Sequence, residues 1–140
     1  MFDNILLAVD GSEHALKAAR FAGDMVRRLE SQMLRIVIAY DPIPPYLGEP
    51  NLQNAIDARL QQANAILEAA VQAVGEVAIE VHTELIEGSP AEAIIDVAAV
   101  RGNDVIVMGS RGLGRLTGAV LGSTSQKVVA HAPCPVLIIR

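Results

Sequence analysis

At 140 residues the chain suits one domain, long enough to bury roughly two-thirds of the surface it exposes when unfolded. Apolar residues make up 51% and are nearly all aliphatic, with no Trp, two Tyr and two Phe, which favours helices packed on a Val/Ile/Leu sheet. The net charge of −5 and the scarcity of stacking aromatics argue against a general nucleic-acid binder.

Ile5-Leu6-Leu7-Ala8-Val9 is a short continuous apolar run that stops at Asp10-Gly11-Ser12, the pattern of a buried strand. No basic segment precedes it and it is too short for a signal or a membrane span, so no membrane insertion is expected and the cytoplasm is the default compartment. Ala15, Ala18, Ala19, Ala22, Met25, Val26 and Leu29 then recur at helical spacing. Glu13, Lys17, Arg20, Asp24 and Arg27 take the other side, and Ser12 stands as the cap. Leu34 to Tyr40 is the second strand, and Asp41 to Pro50, with four prolines and a glycine, is a loop. The next helix carries the stripe Ile56, Leu60, Ala63, Leu67, Ala70, Val71 and Val74.

Ala78 to Leu85 alternates apolar and polar residues and marks a third strand with one wetter face. Ser89-Pro90-Ala91-Glu92 is a capping box with proline at the first helical position; the helix it opens buries Ile94, Ile95, Ala98 and Ala99 and ends at Gly102-Asn103. Asp104 to Met108 is the fourth strand. Gly122 to His131 is the last helix and Pro135 to Ile139 the last strand. Cys134 is the only cysteine, so there is no internal disulfide and no cysteine metal cluster. It reads as a small apolar residue between Pro133 and Pro135.

Five strands alternating with four helices, each crossover long enough to return in parallel, make an open α/β sheet. Ligands in such sheets sit beyond the carboxyl ends of the strands where the winding reverses. In the common order 3-2-1-4-5, strands one and four flank that point. Asp10-Gly11-Ser12 and the loop after Met108 would then share one crevice.

That loop is the most informative stretch. Residues 108 to 129 hold five of the eleven glycines and three basic side chains, with no carboxylate. Residues 1 to 108 carry sixteen acidic and seven basic side chains, whereas residues 109 to 140 carry Arg111, Arg115, Lys127 and Arg140 and no acid. The spacing is Gly109-x2-Gly112-x9-Gly122-Ser123-Thr124. Gly109 lacks a Cβ where the strand ends, so the backbone can turn and a bulky group can approach closely. Gly112 can adopt positive φ and aim successive amides inward as an anion nest. Gly122-Ser123-Thr124 opens a helix whose unpaired amides and dipole favour phosphate, Ser123 and Thr124 add hydroxyls, and Arg111 and Arg115 balance or steer ligand charge. Two plainer readings stand beside this one: a tight connection only, or Ser123-x-x-Gln126 as a capping box serving its own helix. A twelve-residue connection is long for an α/β unit, and such loops usually serve function. It is not a Walker A loop, because Arg115-Leu116 follows Gly114 where lysine and a hydroxyl residue are needed, and its glycine spacing is not the dinucleotide fingerprint.

The pattern G-x2-G-x9-G-[ST], with Val-Met before it and Pro-Cys-Pro-Val-Leu-Ile after it, resembles the universal stress proteins, as does the opening ILLAVDGSEHALKAARFA. The resemblance covers the whole chain. It implies a flavodoxin-like open parallel five-stranded sheet of order 3-2-1-4-5 with helices on both faces. It also implies, in the ATP-binding branch, a stress-response regulator holding ATP, ADP or AMP. Gly109, Gly112, Gly122, Ser123 and Thr124 would hold the phosphates, with Arg111 beside them. Asp10 would lie near the ribose, where a carboxylate can accept from hydroxyls or hold Mg²⁺; its plainer role is to cap the helix around Ser12. Ala39 would meet the adenine edge through its backbone. Ala8 stands where members often have proline, and Met108 either packs on the base or is ordinary core. The resemblance further implies a homodimer through strand 136–139, which would cover a bare aliphatic sheet edge.

No catalytic set emerges. His14 falls on the polar face of the first helix, His82 on the wetter strand and His131 at a helix C-terminus, and only His14 is near the presumed site. Binding without efficient turnover is therefore the leading expectation. A slow or partner-dependent ATPase is the alternative, and a dimeric scaffold that does not use nucleotide the second.

Overall fold

The computed structural model describes residues 1–111 and 121–140. Five parallel strands, β1 (Asn4–Ala8), β2 (Met33–Tyr40), β3 (Val81–Glu87), β4 (Val105–Gly109) and β5 (Val136–Ile139), form one sheet of order β3-β2-β1-β4-β5. Among the described residues four α-helices alternate with them: α1 (Glu13–Leu29), α2 (Asn51–Val74), α3 (Pro90–Arg101) and α4 (Ser123–His131). The expected flavodoxin-like order is the observed one.

Side chains alternate across the sheet, so each strand feeds two cores. Ile5, Leu7, Leu34, Ile36, Ile38, Val105 and Val107 meet the alanine stripe of α1 and the Ala63, Leu67, Ala70 and Val74 stripe of α2. Leu6, Ala8, Val37, Ile106 and Met108 meet Ala91, Ile94 and Ala98 of α3 and Val128 of α4. β1 and β4 are buried on both faces, which is why they read as unbroken apolar runs.

Small residues set the spacing of the α1 layer. A Cβ on Gly23 would lie 2.1 Å from the Val74 carbonyl oxygen, so the two helices cross backbone to backbone there. Arg27 then donates to the Val74 and Glu76 carbonyl oxygens at 2.8 and 3.0 Å, satisfying acceptors at the end of α2. Ser12 caps α1 as expected, its Oγ accepting from the Ala15 amide at 3.2 Å.

Several expectations are corrected. β3 begins three residues later than expected and extends to Glu87, because its register pairs Leu34 with Val81 and Tyr40 with Glu87. Leu60 and Val71 of the expected α2 stripe are exposed; the helix meets α1 through a narrower face. In α3 the residues buried are Ala91, Ala93, Ile94 and Ala98, and Ala99 faces solvent. The capping box at Ser89 does not close, since its side chain makes no cap bond. Nor does Ser123 cap α4: Gly122 holds that position, and Gln126 instead donates to the Leu121 carbonyl at 2.7 Å. Among the described residues, no helix is long and apolar enough to cross a membrane.

Candidate functional site

The winding reverses between β1 and β4, and a cavity of about 280 Å³ opens beyond their carboxyl ends. Ala8, Val37, Ala39, Met108, Ile94 and Pro90 give it an aliphatic end between β1, β2, β4 and the start of α3. Asp10, Ser12, Arg111 and residues 122–125 give it a polar end. Of the residues singled out in the sequence, Ala8, Asp10, Ala39, Met108, Gly109, Arg111, Gly122, Ser123 and Thr124 all line this one space. Gly112 and Arg115 lie outside the described residues.

The polar end is built from two turns. After β1, Gly11 takes φ +88°, and the Asp10 carboxylate accepts the Ser12 amide at 2.9 Å. Asp10 thus shapes the turn that leads into α1, using Oδ1, while the helix cap itself is Ser12 and not Asp10. Asp10 is half-buried and is the one carboxylate among the described lining residues. After β4, the chain is fixed by three bonds, two to the start of α4 and one to β5. Ser125 Oγ donates to the Gly109 carbonyl at 2.9 Å, the Ser110 amide donates to the Ile139 carbonyl at 2.8 Å, and the Gly122 amide donates to the Ser110 carbonyl at 2.8 Å. Gly122 has φ −65° and ψ 162°, ordinary extended backbone, so its conformation does not demand glycine. The amides of Ser123, Thr124 and Ser125 stand in the first turn of α4, where no intrahelical acceptor exists, and their residues line the cavity.

The missing side chain at Gly109 serves a different neighbour from the one expected. A Cβ there would lie 2.7 Å from His14 Cβ and 2.8 Å from the His14 backbone carbon. The bulky group that comes close is the first turn of α1.

His14 and Ser110 are residues whose partnership the sequence reading did not find. His14 Nδ1 and Ser110 Oγ are 2.7 Å apart and share a hydrogen bond, and Ser110 is buried. The spacing of 96 residues gives no local signal; only the β1–β4 adjacency could have found it. His82 is half-buried on β3 and His131 exposed at the end of α4, both away from the cavity.

Next to Ala39, the Tyr40 ring lies under the Arg59 guanidinium, 4.8 Å from it, and Arg59 also donates to the Asp41 carbonyl. Burial pushes the Tyr40 phenol up, Arg59 pulls it down, and the Asp10 charge pushes it up. The Tyr40 hydroxyl is buried without a hydrogen-bond partner among the described residues. Among those residues no group of three or more His, Cys, Asp or Glu is placed to hold a metal ion.

The family model described as the universal stress protein family matches residues 1–140. A universal stress protein from Thermus aquaticus is 46% identical over 140 residues, covering the whole of both chains. The solved structure of the universal stress protein UspA from Lactobacillus plantarum superposes with a TM-score of 0.86 at 31% identity, covering 99% of this chain and 98% of that one. Two more distant solved structures, each 22% identical, share the fold. One is a universal stress protein in complex with cAMP, with a TM-score of 0.72 and coverage of 99% and 97%. The other is the Archaeoglobus fulgidus universal stress protein in complex with dAMP, with a TM-score of 0.67 and full coverage of both chains.

Proposed function

The chain belongs to the universal stress protein family, and we propose that it binds an adenine nucleotide, ATP above all, in the cavity between β1 and β4. The observation that carries this reading is convergence. Two polar turns 100 residues apart, one acidic and one basic, meet an aliphatic slot at a single crevice. An adenosine polyphosphate has the matching parts in the matching order: an apolar base, a hydroxyl-bearing ribose and a charged tail.

The base lies in the aliphatic slot beside Ala8, Ala39 and Met108. Outward backbone groups at the end of β2 give adenine a hydrogen-bonding edge. The phosphates take the free amides and hydroxyls of Ser123 and Thr124, close to Gly109, Gly122 and Arg111. Gly112 belongs to the same phosphate group of residues by its place in the motif. Asp10 uses its second carboxylate oxygen for the ribose hydroxyls or for Mg²⁺. One carboxylate fits magnesium that is held mainly by phosphate oxygens and water, the ion's usual manner with nucleotides. Family members that hold cAMP and dAMP support the adenosine monophosphate part of this reading. The protein acts as a nucleotide-responsive stress regulator, and it pairs with its own copy through β5.

Binding without efficient turnover fits the lining. Asp10 is its one described carboxylate and is partly used by its own turn, and phosphoryl transfer needs a group that positions the nucleophile. The test is mass analysis of nucleotide released from protein purified without added ligand, followed by calorimetric titration with Mg-ATP and single-turnover analysis. ATP or AMP in the released fraction and micromolar or tighter binding are expected. An empty fraction together with no heat of binding would overturn the reading.

A further inference from the structure

Ser110 is the junction at which the loop after β4 is tied to the rest of the molecule. Its amide is bonded to β5, its carbonyl to the amide that begins α4, and its hydroxyl to His14 on α1. Neither His14 nor Ser110 lines the cavity, yet Gly109 and Arg111 on either side of Ser110 do. Beyond the His14 bond, α1 holds this segment through a longer contact, Ser12 Oγ to the Arg111 carbonyl at 3.4 Å. The close fit of Gly109 against the His14 backbone brings the imidazole within reach of Ser110.

We propose that His14 is a positioning residue that acts through Ser110 Oγ to hold residues 109–111 and the start of α4 in one arrangement, setting affinity for the phosphates rather than for the base. The inference rests on the nucleotide reading of the cavity. Its physical basis is the population of the binding-competent state. A ligand's apparent affinity falls in proportion to the fraction of protein whose site is already formed. A buried hydroxyl left without its partner favours rearrangement of the backbone that carries it. The aliphatic slot is built from strand and α3 residues, none of which shares a hydrogen bond with His14 or Ser110, so a nucleoside without phosphates is insensitive to it.

The experiment compares Mg-ATP and adenosine binding by calorimetry in wild type, His14→Leu, His14→Asn and Ser110→Ala, each checked for a cooperative melt. Asparagine can place an amide where Nδ1 stood, so His14→Asn restores the bond. His14→Leu and Ser110→Ala should each weaken Mg-ATP by roughly tenfold, the scale of one lost hydrogen bond to a buried group, with adenosine unchanged. The variant that combines His14→Leu with Ser110→Ala, measured alongside, should be no worse than either single one, and His14→Asn should stay within about threefold of wild type. Equal loss for ATP and adenosine, or no loss in the two disrupting variants, overturns the proposal. A wild type that binds neither ligand overturns the nucleotide reading itself. Should His14→Leu fail to fold, Ser110→Ala carries the test alone, since it removes only one oxygen atom.

Discussion

Gly23 and Tyr40 show what single side chains, or their absence, decide: the first sets how closely α1 meets α2, the second feels the charge beside Ala39. The atoms a Gly23 methyl group would strike are the Val74 carbonyl oxygen, carbon and Cα, all backbone, so α1 and α2 can accept it only by moving apart. Gly23→Ala should cost about 3 kcal/mol, at the upper end for overpacking, and lower the thermal midpoint by roughly 10 °C. Denaturant titration and calorimetry measure both. Tyr40 reports instead on charge. With Tyr46→Phe it becomes the only phenol in a chain without Trp, so its ionisation can be followed by ultraviolet absorbance. The midpoint should lie above the ordinary value of about 10, because burial, opposed by Arg59 and reinforced by Asp10, disfavours phenolate. Replacing Arg59 by Gln should raise the midpoint further, and Asp10→Asn should lower it. A phenol whose folded value is raised contributes stability that is fully present below its unfolded value near 10. That stability is lost as pH rises through the folded value.

At the scale of elements, the sheet edge gives the clearest test of assembly. The Pro135 carbonyl accepts from Ile106 of β4 and the Ile139 carbonyl from Ser110 just beyond it, so in a parallel strand the backbone groups of Val136 and Ile138 point the other way, to the open edge. Pairing of two copies through β5 would use the Ile138 amide. Ile138→Pro removes that donor and leaves the β4 ladder intact. A shift from dimer to monomer in sedimentation is expected, and an undiminished dimer would place the interface elsewhere. Much of this layout was legible in the sequence, for physical reasons that differ between elements. β1 and β4 are buried on both faces and read as apolar runs, and the alanine stripe of α1 reads as a helix because every third or fourth residue packs. β3 was misplaced by three residues because Ile79, before the strand, still packs on the core and continues the alternation. The capping boxes at Ser89 and Ser123 match in letters and not in bonds, since the pattern specifies donors and acceptors and not the dihedral angles that bring them together. The residues lining the crevice were found because they cluster in two motifs. The His14–Ser110 bond was missed because it joins those motifs.

For the molecule as a whole, charge is divided between the two parts of the chain that meet at the crevice, and this has a thermodynamic consequence. The segment up to Met108 is strongly acidic and the segment from Gly109 onward carries only positive side chains, so a polyanion is drawn to the second and repelled by most of the first. A ligand that binds only the folded state stabilises it by mass action, by about 2.7 kcal/mol at a hundred times its Kd. For a domain of this length that is a rise in thermal midpoint of roughly 9 °C. Mg-ATP at that excess should produce the full rise, and adenosine at the same multiple of its own weaker Kd should produce a similar one, because mass action depends on occupancy alone. Salt separates the two. Raising sodium chloride from about 50 to 500 mM shortens the Debye length from roughly 14 to 4 Å and screens the arginine-bearing end of the cavity. The shift produced by a fixed Mg-ATP concentration should therefore shrink by several degrees, while that produced by adenosine holds. Equal salt sensitivity of the two shifts would mean that the basic segment takes no part in binding, and the phosphates would then have to lie on the opposite side of the crevice from Arg111, Ser123 and Thr124.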